Sequence, residues 1–226
     1  MDKVNILDNG YVILKDTWGS DERIIEGARM SSGKGFLGWG TPEKPGDEKL
    51  LKYLWTNKHT SPFEQAGFSI EVQAPLMVFR EWHRHRTQSY NEMSARYTQM
   101  PDIHYLPESS RVKAQSKSNK QGTSEQELPP EIIEEFLRRT KEDQDRIYAN
   151  YQWALDNGIA REIARINTPV SRYSKMVASA NLLNWLKFLK LRMPMAAQWE
   201  IRQYANAVAQ IVAEKFPRTW DLFIKE

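Results

Sequence analysis

Residues 84–97 read Arg84-His85-Arg86-Thr87-Gln88-Ser89-Tyr90-Asn91-Glu92-Met93-Ser94-Ala95-Arg96-Tyr97, with three arginines, a histidine, a glutamate, an asparagine and two serines in 14 positions. Guanidinium forks match the oxygens of phosphate and carboxylate, and an imidazole can stack on a ring or donate a hydrogen bond. The segment has almost no aliphatic residue and no apolar period, so it is not the wet face of a core helix. Such density of polar groups suits a polyanionic, hydrogen-bonding ligand, provided rigid elements hold it. Arg80, Arg84, Arg86 and Arg96 fall within 17 residues, and Arg165, Arg172 and Arg192 stand in apolar company, where each is expected to meet an anion. On composition alone three readings stay open: a small-molecule site, a solvated surface, or a platform for single-stranded RNA.

Other chemistries are narrowed by what the chain lacks. There is no cysteine, which removes disulfides, thiolate metal sites and cysteine nucleophiles together. The imidazoles are His59, His83, His85 and His104, and no two have the spacing of a helical zinc pair, so no metal is expected and hard chemistry falls to an organic cofactor. A net charge of +3 is too mild to argue for nucleic acid. Hydrophobic residues at 40% and charged residues at 27% fit an ordinary globular chain. No apolar run approaches the roughly 18 residues of a membrane span. Met1 to Asn5 lack the pattern of a signal peptide, so a cytoplasmic protein without membrane or nucleic-acid partners is expected.

A framework must position the polar segment. Upstream, Phe68, Ile70 and Val72 alternate with Ser69, Glu71 and Gln73, the period of a half-buried strand. Pro75 suits the first turn of a helix running through Trp82, which puts Arg84 at its end. Residues 103–106 suggest a short strand downstream, and Gly10 to Trp18 another around Tyr11-Val12-Ile13-Leu14. Ser20 is placed to cap a helix with Ile24, Ile25 and Ala28 on its apolar face, and Asp47 a helix with Leu50, Leu51 and Leu54. Between them, Gly33-Lys34-Gly35-Phe36-Leu37-Gly38 matches the dinucleotide fingerprint literally. A helix precedes it and Trp39-Gly40-Thr41-Pro42 follows, so it reads as a loop. Residues 109–130 are polar without apolar period and read as a solvated loop, with a mobile lid as the alternative. Pro129-Pro130 opens a long helix that Asn157-Gly158 ends, and a shorter one reaches Ile166 before Pro169. Leu182, Leu183, Leu186 and Leu189 mark the next helix, ended near Pro194, and Ile201, Tyr204, Ala205, Val208, Ile211 and Val212 the last. The expected class is α+β: a helix-rich single catalytic domain over residues 1–226, with a small antiparallel sheet.

The order of residues in the polar segment resembles the signature RHRxxSxNExSxR of the flavin-dependent thymidylate synthases, carried here by Arg84, His85, Arg86, Ser89, Asn91, Glu92, Ser94 and Arg96. His59-Thr60-Ser61-Pro62-Phe63-Glu64 resembles that family's upstream loop. Arg161-Glu162-Ile163-Ala164-Arg165, Leu191-Arg192 and Ala197-Gln198-Trp199-Glu200-Ile201 resemble its downstream blocks. The resemblance implies an enzyme that converts dUMP to dTMP. NADPH reduces FAD, methylenetetrahydrofolate gives a one-carbon unit to C5 of dUMP, and a flavin hydride completes the methyl group. Other thymidylate synthases attack C6 with a cysteine, which this chain lacks.

For FAD the resemblance implies Ser31, His59, Ser61, Glu64, Arg84, His85, Arg86, Glu92, Asn181 and Lys187. For dUMP it implies Glu81, Arg84, Glu92, Met93, Ser94, Ala95, Arg96, Arg165 and Arg192. Arg192 matches the catalytic arginine, whose guanidinium near N3 and the neighbouring carbonyl favours negative charge there. Ser94 has no base and orienting acid beside it in sequence, so it reads as a hydrogen-bonding partner of the nucleotide phosphate, aided by neighbouring amides and Arg96. A homotetramer whose active sites combine several subunits is also implied. The chain departs from the family pattern at Leu183, where arginine is common, and at Lys187, Gln65 and Glu81, where asparagine or histidine, histidine, and glutamine are frequent.

Overall fold

The computed structural model describes residues 3–41, 43–118 and 120–225; Pro42 of the glycine-rich loop and the first two residues of the N-terminal segment lie outside them. Five strands, β1 (Val4–Ile6), β2 (Gly10–Trp18), β3 (Gly67–Pro75), β4 (Ser89–Glu92) and β7 (Tyr173–Asn181), build a central antiparallel sheet. Their order across it is β1-β2-β3-β7-β4. A separate hairpin pairs β5 (Lys113–Gln115) with β6 (Thr123–Glu127). The helices are α1 (Asp21–Arg29), α2 (Glu48–Thr56), α3 (Leu76–Trp82), α4 (Pro130–Asp156), α5 (Arg161–Ala164), α6 (Leu182–Arg192), α7 (Trp199–Lys215) and α8 (Pro217–Phe223).

Strand β3 occupies the middle of the sheet, and Phe68, Ile70 and Val72 are fully buried as their alternation predicts. Helices α6 and α7 cover its inner face. Trp185 of α6 stacks on Phe68 at 4.7 Å and 7° between planes, and its indole N–H donates to the Phe68 carbonyl at 3.0 Å. Trp82 of α3 stacks on Phe188 at 4.6 Å, so aromatic contacts lock the end of α3 to α6. Tyr204 of α7 donates to the Gln73 carbonyl at 2.9 Å. Its hydroxyl lies 2.0 Å from where a Cβ on Gly10 would stand, so only glycine admits this approach.

Several elements follow the sequence closely. Ser20 caps α1 by accepting from the Arg23 amide at 3.3 Å, α4 runs from the Pro129-Pro130 pair, and Gly158 at φ 78 follows its end. The glycine-rich stretch before α2 carries no regular structure among its described residues. Asp47 stands at the cap position of α2 but makes no cap bond; its carboxylate pairs with Arg29 and accepts from the Leu37 amide at 2.8 Å. A buried carboxylate here fastens the loop rather than the helix.

Other parts differ from the sequence reading. Within residues 109–130, read as loop, β5 and β6 form a hairpin. Its strands are polar on both sides because they stand off the main sheet and bury no apolar face; Lys113–Glu125 and the Gln115 carboxamide on the Gly122 carbonyl at 2.8 Å brace them. Residues 103–106 make only an isolated bridge, His104 to Arg172. Strands β1, β4 and β7 and helix α8 have no counterpart in the sequence reading. In β7 the inward residues are mostly small (Ser174, Met176, Ala178, Ala180), so alternation exists but its apolar members carry little side-chain bulk. Arg172 is buried, yet its guanidinium donates to the Pro101 carbonyl at 2.7 Å rather than to an anion.

Candidate active site

Helix α3 ends at Trp82 with His83 as its cap, and the chain turns through Arg84-His85-Arg86 into β4, which pairs with β7 at the sheet edge. Tyr90 holds this turn, donating to the His85 carbonyl at 2.7 Å and to the Trp82 carbonyl at 3.2 Å. Beneath it the Trp82 indole donates to the buried Gln88 side-chain oxygen at 3.0 Å, while the Gln88 NH2 group has no hydrogen-bond partner among the described residues. The signature leaves Gln88 unspecified, and nothing in its spacing marks it as a support of the turn.

Arg192, the last residue of α6, reaches back to this turn. Its Nη1 donates to Glu81 Oε2 at 2.5 Å, Nη2 to the Glu81 main-chain oxygen at 2.8 Å, and Nε to His85 Nε2 at 2.9 Å. The last bond requires Nε2 of His85 to be unprotonated. Burial, reinforced by the Arg192 cation and opposed by Glu81, pushes the His85 imidazole down to about 4. His85 is therefore a neutral acceptor at neutral pH, set edge-on to Phe188 at 4.9 Å.

A pH dependence follows from this. An imidazole in the unfolded chain titrates near about 6.5. Between there and about 4 the unfolded chain carries the extra proton, so stability is complete above the upper limit and falls as pH drops through the window. Proton NMR should find His85 still neutral near pH 5, and His85→Gln should flatten the loss of thermal stability across that window. An ordinary His85 midpoint would refute the arrangement.

The resemblance-derived residues fall into three neighbourhoods. Glu81, His85 and Arg192 share the cluster just described. Glu92 ends β4, and Met93, Ser94, Ala95 and Arg96 follow it at the other end of its pairing with β7, where the Met93 amide bonds the Lys175 carbonyl and Arg96 meets Glu162 of α5 at 3.3 Å. Arg165 follows α5 directly. Ser31, after α1, and Ser61 and Glu64, on a short 3-10 turn packed against α1 and α6, form the third, with Asn181 at the start of α6. No hydrogen bond or ion pair among the described residues joins this third group to residues 84–96.

Within these groups the side chains are mostly outward-facing. Ser31, His59, Ser61, Glu64, Arg84, Arg86, Glu92, Arg96 and Lys187 are exposed. Asn181 caps α6 by accepting from the Asn184 amide at 3.0 Å, which leaves its NH2 as donor. Leu183 is only 9% exposed and packs in the core, so in this chain that position serves packing instead of a polar contact. Ser94 Oγ accepts from the Arg96 amide at 3.2 Å, and the Ser94 carbonyl takes the Tyr97 and Thr98 amides. These local bonds engage the amides of Arg96, Tyr97 and Thr98. No base contacts the Ser94 hydroxyl among the described residues.

Arg84 and Arg86 have no carboxylate within ion-pairing distance among the described residues, and Lys187 stands exposed on the same helix as Arg192. Two unpaired guanidinium forks, an ammonium and the Asn181 amide fit an anionic, amide-bearing cofactor such as a flavin dinucleotide. A cavity of about 980 Å³ between β1, the β5–β6 hairpin and α7 includes none of the residues named for FAD or dUMP.

A family model described as thymidylate synthase complementing protein matches residues 12–218. A flavin-dependent thymidylate synthase of Treponema denticola is 42% identical over 212 residues, covering 93% of this chain and 78% of that protein. One from Thermus thermophilus is also 42% identical, over 220 residues, covering 97% and 77%. Among solved structures, the UMP/dUMP methylase PolB from Streptomyces cacaoi superposes with a TM-score of 0.86 when bound with 5-Br dUMP, at 29% identity over 98% of this chain and 97% of that one. Its complex with 5-Br UMP gives a TM-score of 0.84. With a matching signature, fold and near-complete coverage, the chain belongs to the flavin-dependent thymidylate synthase family.

Proposed function

We propose that this protein is a methyltransferase that converts dUMP to dTMP, with methylenetetrahydrofolate as carbon donor and NADPH-reduced FAD as hydride source. The observation that carries the reading is the Arg192 guanidinium, fixed by Glu81 and a neutral His85 beside the turn that bears Arg84 and Arg86. When bound, the flavin supplies the hydride that completes the methyl group.

The chain's own residues orient and polarise. A guanidinium has five N–H donors, and three of those on Arg192 are spent on Glu81 and His85. One remains on each terminal nitrogen, available to a uracil carbonyl and the adjacent ring nitrogen. Charge placed there stabilises an electron-rich base and makes C5 the better nucleophile. Ser94, Arg96 and Arg165 are the proposed phosphate partners; Met93 and Ala95 line the same stretch, and Glu92 reaches both ligands. Arg84, His85, Arg86, Asn181 and Lys187 are the proposed flavin partners, with Ser31, His59, Ser61 and Glu64, and Arg84 also serves dUMP. Because these groups occupy separate neighbourhoods of one chain, we also propose a homotetramer in which each active site draws on several subunits, residues 1–226 acting as one catalytic domain in the cytoplasm.

The test is the visible spectrum of the purified protein with FAD, followed anaerobically during NADPH addition with and without dUMP, and then product analysis with methylenetetrahydrofolate. Bound flavin that bleaches faster with dUMP, followed by dTMP formation, is the expected result; indifference to dUMP would reduce the protein to a flavin oxidoreductase. UMP is the second acceptor to assay, because the Streptomyces cacaoi methylase was solved with 5-Br UMP as well as 5-Br dUMP. Arg84→Ala and Arg86→Ala should each weaken FAD binding about 10- to 100-fold, the loss of one charged hydrogen-bonding group. Unchanged affinity in both would remove these arginines from the flavin site.

A further inference from the structure

Arg192 is held by one anionic acceptor and two neutral ones. The neutral ones are the Glu81 main-chain oxygen and His85 Nε2; the anion is the Glu81 carboxylate. The Arg192 side chain is 14% exposed and that of Glu81 41% exposed, so the carboxylate approaches the guanidinium from the open side of the cluster. Glu81 belongs to the last turn of α3 and Arg192 is the last residue of α6, so the pair braces the ends of two helices. A half-exposed ion pair adds little to stability. A charge-assisted bond to a guanidinium does fix direction, and the direction of Arg192 decides where its two remaining N–H groups point.

We propose that Glu81 is a positioning residue for Arg192: its carboxylate, with its own carbonyl and His85, holds the guanidinium in the orientation that the nucleotide base meets. This rests on the reading of Arg192 as the base-activating residue, but it assigns Glu81 a role through Arg192 rather than a direct hold on dUMP. Glutamine, frequent here in the family, offers the same acceptor oxygen without the charge. In this chain the pair is neutral overall, so orientation is gained while the net positive charge near the base is lower.

The experiment compares Glu81→Gln, which keeps the oxygen, with Glu81→Met, which keeps the length and removes it. His85 reports on Arg192 without nucleotide or flavin, because the Arg192 cation lowers its midpoint more than Glu81 raises it. If Glu81 holds Arg192, Glu81→Met frees the guanidinium and the His85 midpoint rises in NMR titration. In Glu81→Gln the guanidinium stays, the anion is gone, and the midpoint falls. A fall in both variants means that Arg192 keeps its place without the carboxylate and overturns the proposal.

Kinetics supply the second arm. Glu81→Met should lower kcat with dUMP on the order of 10- to 100-fold, the cost of a misplaced catalytic group, and Glu81→Gln should recover most of that loss with FAD affinity unchanged in both. Equal kcat losses in the two variants would also overturn it. Should Glu81→Met fail to fold, Glu81→Ala makes the same comparison. A wild type that neither binds dUMP nor forms dTMP refutes the function itself and leaves the His85 comparison as the test of positioning.

Discussion

Arg192→Ala should lower dUMP-dependent turnover by on the order of 100- to 1,000-fold while the protein still folds and still takes up FAD, the range expected for removing a preorganised charge from a developing anion. Folding should persist because Arg192 ends α6 at the edge of the core, and the carboxylate it leaves on Glu81 is 41% exposed and can be hydrated. Flavin uptake should persist because the proposed diphosphate partners, Arg84 and Arg86, are exposed and do not bond Arg192. The measurement is a steady-state rate with saturating dUMP beside an absorbance titration with FAD. Loss of flavin binding and solubility together would make Arg192 a structural residue, and retained turnover would remove it from catalysis.

Trp185→Ala should destabilise the fold by about 3–5 kcal/mol, the usual cost of emptying a large aromatic site in a core. Trp185 is fully buried between Phe68, at 4.7 Å, and the edges of Trp82 and Phe188, at 6.4 and 6.0 Å. Its loss also removes the indole donor from the Phe68 carbonyl. The effect reaches function through α6, which starts at the Asn181 cap and ends at Arg192; a loosened α6 shifts both proposed ligand contacts relative to β3. Denaturant unfolding monitored by circular dichroism reads the stability directly. A loss below about 1 kcal/mol would mean that neighbouring rings collapse into the space, and that this stack does not set the position of α6.

The site is legible in the sequence to different depths. The Arg84–Arg96 signature is contiguous, and its residues occupy a turn and an edge strand that need no apolar pattern, so their types and order survive as a linear signal. The pairing of Glu81 with Arg192 spans 111 positions and depends on aromatic packing between α3 and α6, which no local pattern encodes. Leu183 is legible from its spacing: it stands where arginine is common in the family, yet it is one of the leucines that mark α6, and it faces the core with Trp185, Leu186 and Leu189. Arg172 shows that an arginine in apolar company can be satisfied by a backbone carbonyl, so burial alone did not imply an anionic ligand.

Spacing along the chain is enough to define the elements whose side chains alternate or repeat strongly: the central strand β3, the capped helix α1, the long helix α4, the stripe of α7, and the family signature. These are local properties of spacing, and hydrophobic burial enforces them wherever the chain folds. The order of the sheet, the strand β7 with its small inward residues, the polar hairpin of β5 and β6, and the clamp on Arg192 emerge from long-range packing. Each of those depends on which distant backbone or side chain arrives as partner, and a hydrogen bond or ion pair between remote residues leaves no period in the sequence.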